Sequence, residues 1–143
     1  MKIRIGTPND IVKVSRLWLH MVRELAPEYT PNVEWWREHA KRFLSAGTYQ
    51  AFVAEDGGRI VGFLDGFIFP EPSTGKLHGV GQHFYVLPEY RGTSAAGLLY
   101  RHLLKTARES GCQVIELFCF DREKSFWLKK GYKPVRSMVR REI

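Results

Sequence analysis

The densest chemical signal in the chain is Val86-Leu87-Pro88-Glu89-Tyr90-Arg91-Gly92-Thr93-Ser94-Ala95-Ala96-Gly97. An apolar run stops at a proline, a tight turn follows, and small residues open a helix. The first N–H groups of a helix have no internal partner and point outward with the positive end of the dipole. Small side chains let a ligand come close to that backbone. The chemistry on offer is phosphate binding, by neither the Gly-Lys-Ser/Thr pattern nor the dinucleotide Gly-x-Gly-x-x-Gly pattern, and its structural alternative is an ordinary strand–turn–helix with a tight connection. Proton chemistry has three candidates. Glu116 is the one charged residue inside the apolar run Val114–Cys119, where burial raises a carboxyl pKa unless a partner offsets it. Its structural alternative is a glutamate at the sheet end meeting an arginine of the last strand. His83 and His78 stand on or beside the preceding apolar run, and histidine titrates near neutrality unaided. Their alternative is a surface or loop histidine. Downstream, Phe126-Trp127-Leu128-Lys129-Lys130-Gly131-Tyr132 reads as a short helix ended by glycine and entering a strand at an aromatic.

Positioning these groups falls to an alternating set of elements. Lys2 to Gly6 reads as a strand. Thr7-Pro8-Asn9-Asp10 is a helix start with a capping box. Ile11, Val14, Leu17, Trp18, Met21, Val22 and Leu25 recur at helical spacing until Pro27. A second helix spans about Asn32 to Ser45. Tyr49 to Glu55 and Arg59 to Phe69 form a hairpin around Asp56-Gly57-Gly58. Pro70 to Gly79 reads as a loop, and Val80 to Leu87 as a strand. Thr93 to Ser110 reads as a helix. The almost wholly apolar Gln113 to Phe120 reads as a strand covered on both faces. Arg122 to Lys130 is the short helix, and Tyr132 to Ile143 a last strand. The crossover from Val80 through Phe120 is expected to be parallel and right-handed. The fold class is α/β, a mixed, mostly antiparallel sheet with helices on both faces, in a single domain over 1–143.

Composition narrows the function classes. The chain has 143 residues, 44% hydrophobic and 26% charged, which excludes disorder and collagen. No apolar run approaches the ~20 residues of a membrane helix. Cys112 and Cys119 have no histidine at metal spacing, which argues against a zinc site and a disulfide framework and fits a cytoplasmic setting. The net charge is +7. Residues 1–70 carry 9 basic and 8 acidic side chains, and residues 71–143 carry 13 and 7. The excess in the second half suits a phosphorylated cofactor, a nucleic acid or a membrane surface, or is simply a solvated basic face.

Taken together in this element order, the two motifs resemble the GNAT superfamily of N-acetyltransferases over essentially the whole chain. Val86, Pro88, Arg91, Gly92 and Ala96 match the family's Val-x-Pro-x-x-Arg/Gln-Gly-x-Gly-x-Gly/Ala loop, with Ser94 where its second glycine usually stands. Phe126, Trp127, Gly131 and Tyr132 fall on its late Leu-Tyr-x-x-x-Gly-Phe motif. The resemblance implies acetyl-CoA as acetyl donor, without a metal. Backbone N–H groups of Arg91, Gly92, Thr93, Ser94, Ala95 and Ala96 would hold the pyrophosphate. The backbone of Phe84, Tyr85 and Val86 would pair with the pantetheine arm like an added strand. An N–H near Val86 would polarise the thioester carbonyl. Glu116 or His83 would serve as general base, with His78 as a further candidate. The family's thiolate donor is tyrosine; here Trp127 stands there, and an indole N–H donates a hydrogen bond without releasing a proton. Tyr132 or Tyr100 would be substitutes. Trp35, Trp36, His39, Glu28, Tyr29 and the Glu71–Gly79 loop would shape an acceptor site for an amine that the sequence does not name. A homodimer is compatible with this reading. The alternatives are an acyl-CoA-binding protein of this fold with little transfer, and a basic nucleic-acid-binding module.

Overall fold

Residues 1–136 and 138–143 are described by a computed structural model. The elements follow in the order β1 (Lys2–Ile5), α1 (Ile11–Leu25), α2 (Val33–Ser45), β2 (Tyr49–Asp56), β3 (Arg59–Pro70), β4 (Leu77–Val86), α3 (Ala95–Glu109), β5 (Val114–Leu117) and α4 (Asp121–Lys129). Chain order is also sheet order. β1 to β4 pair antiparallel and β5 joins β4 in parallel through the α3 crossover. The mixed, mostly antiparallel sheet and the parallel crossover are as expected.

The helices divide between the two faces because strand residues alternate. Tyr49, Ala51, Val53, Phe63 and Asp65 meet Ile11 and Val14 of α1 and Trp36 and Ala40 of α2. Gln50, Phe52 and Leu64 meet Leu103, Thr106 and Ala107 of α3. The core runs through both layers, with Val53, Phe63, Leu64, Met21 and Leu99 sealed within it. At the start of α1, Asp10 is buried and accepts from both Nη groups of Arg4, at 2.8 and 2.9 Å, and from the Thr7 N–H and hydroxyl.

One irregularity matters for function. β3 and β4 slip register at Asp65/Gly66: Asp65 stands opposite His83 and Gly66 opposite Gly81, so Gln82 is left over. A side chain at Gly66 would put its Cβ 2.2 Å from the Val80 carbonyl oxygen, so the bulge needs glycine there. The bulge turns Asp65 and His83 toward the same side.

The expected start of the first helix holds, with Thr7 as cap, Pro8 next and Asp10 closing the box, and Pro8–Asp10 form a 3-10 turn before the helix proper. Three expectations are corrected. The supposed 70–79 loop shrinks to six residues, since β3 runs to Pro70, β4 starts at Leu77, and the two pair. β5 stops at Leu117; Phe118 is 60% exposed and Cys119 is exposed, so 118–120 are not a doubly covered strand. The last strand over Tyr132 to Ile143 does not form among the described residues, where 133–136 and 138–143 are exposed; Ser137 lies outside them. Four of its apolar side chains, Val135, Met138, Val139 and Ile143, find no core to cover them, so burial cannot offset the entropy of ordering the strand.

Candidate active site

The turn between β4 and α3 leaves backbone donors unspent. Arg91 N–H bonds the Pro88 carbonyl, Thr93 N–H the Tyr90 carbonyl, and Ala95 N–H the Thr93 hydroxyl. Among the described residues, the N–H groups of Gly92, Ser94, Ala96 and Gly97 have no protein partner, and α3 has no side-chain cap. Gly92 adopts φ +86°, and a Cβ there would meet nothing within 4 Å, so open space lies beside these donors. The Arg101 guanidinium, one turn along α3, lies 3.9 Å from where a Gly97 Cβ would be. Four unspent amides, a helix dipole and a cation make a good anion receptor. The residues expected at a pyrophosphate fit one; three of the six amides assigned from the sequence are already engaged within the turn, and Gly97 joins the free set.

Arg91 braces this turn. Its Nη atoms donate to both oxygens of Glu24 on α1, at 2.6 and 2.8 Å, and its Nε donates to the Val86 carbonyl at 3.0 Å. Tyr85 Oη donates to the same carboxylate at 2.8 Å, and Arg122 of α4 donates to the Glu24 carbonyl. The Arg91 guanidinium holds the Glu24 carboxyl below the usual carboxylate range. Burial, then Glu24, pushes the Tyr85 phenol up to about 12.

β4 and β5 part company just beside this turn. Their pairing ends at Gly81 and Leu117, with Phe118 N–H bonded to the Gly81 carbonyl at 2.9 Å. From Gln82 to Val86, β4 has no strand on its β5 side, which leaves a strand-shaped opening flanked by Phe84, Tyr85 and Val86. His83 stands at the apex. Its Nδ1 lies 2.9 and 3.1 Å from the two Asp65 oxygens, and its backbone N–H donates to Asp65 Oδ1 at 2.9 Å. Asp65 is 2% exposed and takes a further bond from Tyr49 Oη, at 2.5 Å. Burial pulls the His83 pKa down, but the Asp65 charge and hydrogen bond outweigh it, so the net direction is up. Among the described residues no buried side-chain polar atom lacks a partner, yet His83 Nε2 has none; it therefore reaches solvent. Glu116 sits lower, where the strands still pair, with His78 Nδ1 3.6 Å from its Oε1. Its neighbour is this histidine rather than an arginine of a last strand.

On the other side of β4, Trp127 is 5% exposed among Phe84, Tyr100 and Tyr132, at ring separations of 5.4–5.7 Å. Among the described residues its Nε1 has no hydrogen-bond partner. Tyr100 and Tyr132 hydroxyls bond each other at 2.9 Å, and burial, then this contact, pushes the Tyr132 phenol well above its ordinary range. Of the tandem tryptophans, Trp36 is core, stacked on Trp18, while Trp35 is 60% exposed. Along α2, Trp35 stacks on His39, His39 meets Phe43 edge to face, and Phe43 stacks on Tyr49 and meets Phe67 edge to face. Glu28 and Tyr29 are exposed in the α1–α2 connection, and Arg140 lies over the Tyr29 ring. Sequence reasoning passed over Asp65 and Tyr49. The signal at Asp65 was the one that marked Glu116, a lone acid in an apolar run.

A free edge on β4 thus lies next to a helix start with unspent amides. The acetyltransferase (GNAT) family model matches residues 16–132, and the chain belongs to that family of N-acetyltransferases. The fold agrees with solved structures. A ribosomal-protein-alanine N-acetyltransferase from Brucella melitensis is 24% identical with TM-score 0.75, covering 99% of this chain and 100% of its own. A Trypanosoma brucei acetyltransferase is 21% identical with TM-score 0.75, covering 99% of each chain. A predicted acetyltransferase from Clostridium acetobutylicum, crystallised with acetyl-CoA, is 17% identical with TM-score 0.82, covering 99% and 95%. No curated protein matches the chain in sequence. Neither the acyl-CoA-binding nor the nucleic-acid alternative finds support in these comparisons. No helix among the described residues is long and apolar enough to cross a membrane.

Proposed function

We propose that this chain moves the acetyl group of acetyl-CoA to a neutral amine of a small molecule, peptide or protein, with His83 as general base. The observation that carries this reading is the unpartnered Nε2 of His83 at the apex where β4 leaves β5, one strand-length from the unspent amides of the α3 turn. Gly92, Ser94, Ala96 and Gly97 N–H groups hold the pyrophosphate, and the free edge of Phe84, Tyr85 and Val86 takes the pantetheine arm. Acetyl-CoA supplies an activated thioester. His83 Nε2 takes the amine proton as the nitrogen attacks the carbonyl carbon. The C–S bond then breaks with its electron pair going to sulfur, and Trp127 Nε1–H stands by as a hydrogen-bond donor on that side of β4. Glu116 is the second candidate base, already engaged by His78. The aromatic row from Trp35 to Phe43 walls the acceptor's approach. Thiol release from acetyl-CoA against a panel of amines, peptides and polyamines tests this. Release with at least one acceptor, lost on the order of 10²-fold in His83→Ala with CoA affinity kept, is the expected result. Tight acetyl-CoA binding without release for any acceptor would overturn it.

A further inference from the structure

We propose that Asp65 and Tyr49 are positioning residues that fix the tautomer and aim of His83, an inference that rests on His83 as the base. The observations are geometric. Asp65 sits at the β3–β4 bulge with both carboxylate oxygens spent inward: Oδ1 accepts the His83 backbone N–H and faces the ring Nδ1, and Oδ2 accepts the Tyr49 hydroxyl. A carboxylate only accepts, so the facing Nδ1 carries the hydrogen. The lone pair is thereby left on Nε2, the nitrogen that reaches solvent at the strand opening. As Nε2 takes a proton from the acceptor nitrogen, the positive charge spreads over a ring already facing a buried carboxylate. Nδ1 keeps its proton throughout, Tyr49 Oη donates to the same carboxylate, and nothing is transferred along the chain of bonds. The bulge that requires Gly66 is the backbone device that brings Asp65 and His83 opposite each other. Three residues 16 to 34 positions apart are thus assembled from β2, β3 and β4 on the face that carries α1 and α2.

The test combines spectroscopy with a double-mutant cycle. Long-range nitrogen–proton NMR of the His83 ring in the wild-type protein, above its pKa, is expected to show the Nδ1–H form alone. In Asp65→Asn the amide can donate to Nδ1 instead, moving the hydrogen to Nε2, and turnover is expected to fall on the order of 10²-fold or more. Tyr49→Phe, a milder change that guards against failure of the Asn variant to fold, is expected to keep the Nδ1–H form and lose turnover a few-fold. In a His83→Ala background, Asp65→Asn is expected to add almost no further loss, because Asp65 acts through the ring. A mixed or Nε2–H form in the wild type overturns the positioning role, whatever His83 does. Equal losses from Asp65→Asn with and without His83 overturn it too. An unchanged turnover in His83→Ala, beside a pure Nδ1–H form, refutes the base and leaves the hydrogen-bond assignment standing, so the two failures are told apart.

Discussion

Replacing Gly92 by valine separates strain from ligand exclusion. Gly92 has φ +86° and open space around a prospective Cβ, so the protein cost of a side chain is conformational rather than steric. Holding an L-residue in the left-handed region costs roughly 1–2 kcal/mol. Gly75, in the β3–β4 connection, has φ +67° and equally open surroundings, so Gly75→Val should lower thermal stability by a similar amount. The ligand distinguishes them. An amide donating to a charged phosphate oxygen is worth about 1.5–3 kcal/mol. Loss of one such bond at the Gly92–Gly97 amides corresponds to about a 10- to 150-fold weaker Kd. Calorimetry with CoA and acetyl-CoA should therefore show that loss in Gly92→Val and none in Gly75→Val, at temperatures where both are folded. Equal Kd values in the two variants would refute the pyrophosphate assignment and leave Gly92 as a turn residue only.

Trp127→Phe keeps the ring contact with Phe84 and removes the indole N–H, so turnover should fall by no more than about tenfold, the scale of one neutral hydrogen bond; a loss of several orders of magnitude with CoA still bound would contradict this. Asp10→Asn should cost about 2 kcal/mol in denaturant unfolding, since a buried carboxylate loses charge against Arg4. The Arg4 guanidinium, then the Thr7 bonds, hold the Asp10 carboxyl far below the usual range against the opposing effect of burial. Its stabilisation is therefore complete above pH ~4 and lost as acid takes the pH down toward the depressed value; the Asn variant should show a weaker dependence over that window. For His83 the direction is reversed. Its raised pKa means that kcat should climb with pH above ~6.5 as the ring becomes neutral, while the stability from the imidazolium–Asp65 pair is full below that pH and fades as pH rises through the raised value. A flat pH–rate profile with an acceptor of low amine pKa would contradict it.

The order of elements, the strand directions and the tight turn into α3 were legible because each rests on local chemistry: helical spacing in Ile11–Leu25, paired glycines at 57 and 58, small residues after Arg91. The errors lie where an apolar run has no partner. Phe118 and Val139 have the composition of strand residues, but burial is a property of what packs against them, which no local pattern contains. The hairpin that joins Pro70 to Leu77 was hidden by a Pro- and Ser-rich stretch whose turn residues are real but few. His83 was visible as a histidine on a strand. Its tie to Asp65 was not, because a bulge shifts register by one and thereby decides which side chains face each other.

Glu24 receives Arg91 from the α3 turn and Tyr85 from β4, while its carbonyl receives Arg122 from α4, and the α1–α2 connection begins two residues after it. Donor-side turn and acceptor-side connection are therefore fastened at one carboxylate-bearing residue, like two leaves on a common hinge pin. Were an anion to order the turn as proposed above, the change would reach the α1–α2 connection through Glu24, and linkage would return the same factor in the opposite direction. On that reading, the affinity for one substrate is expected to depend on the occupancy of the other's site.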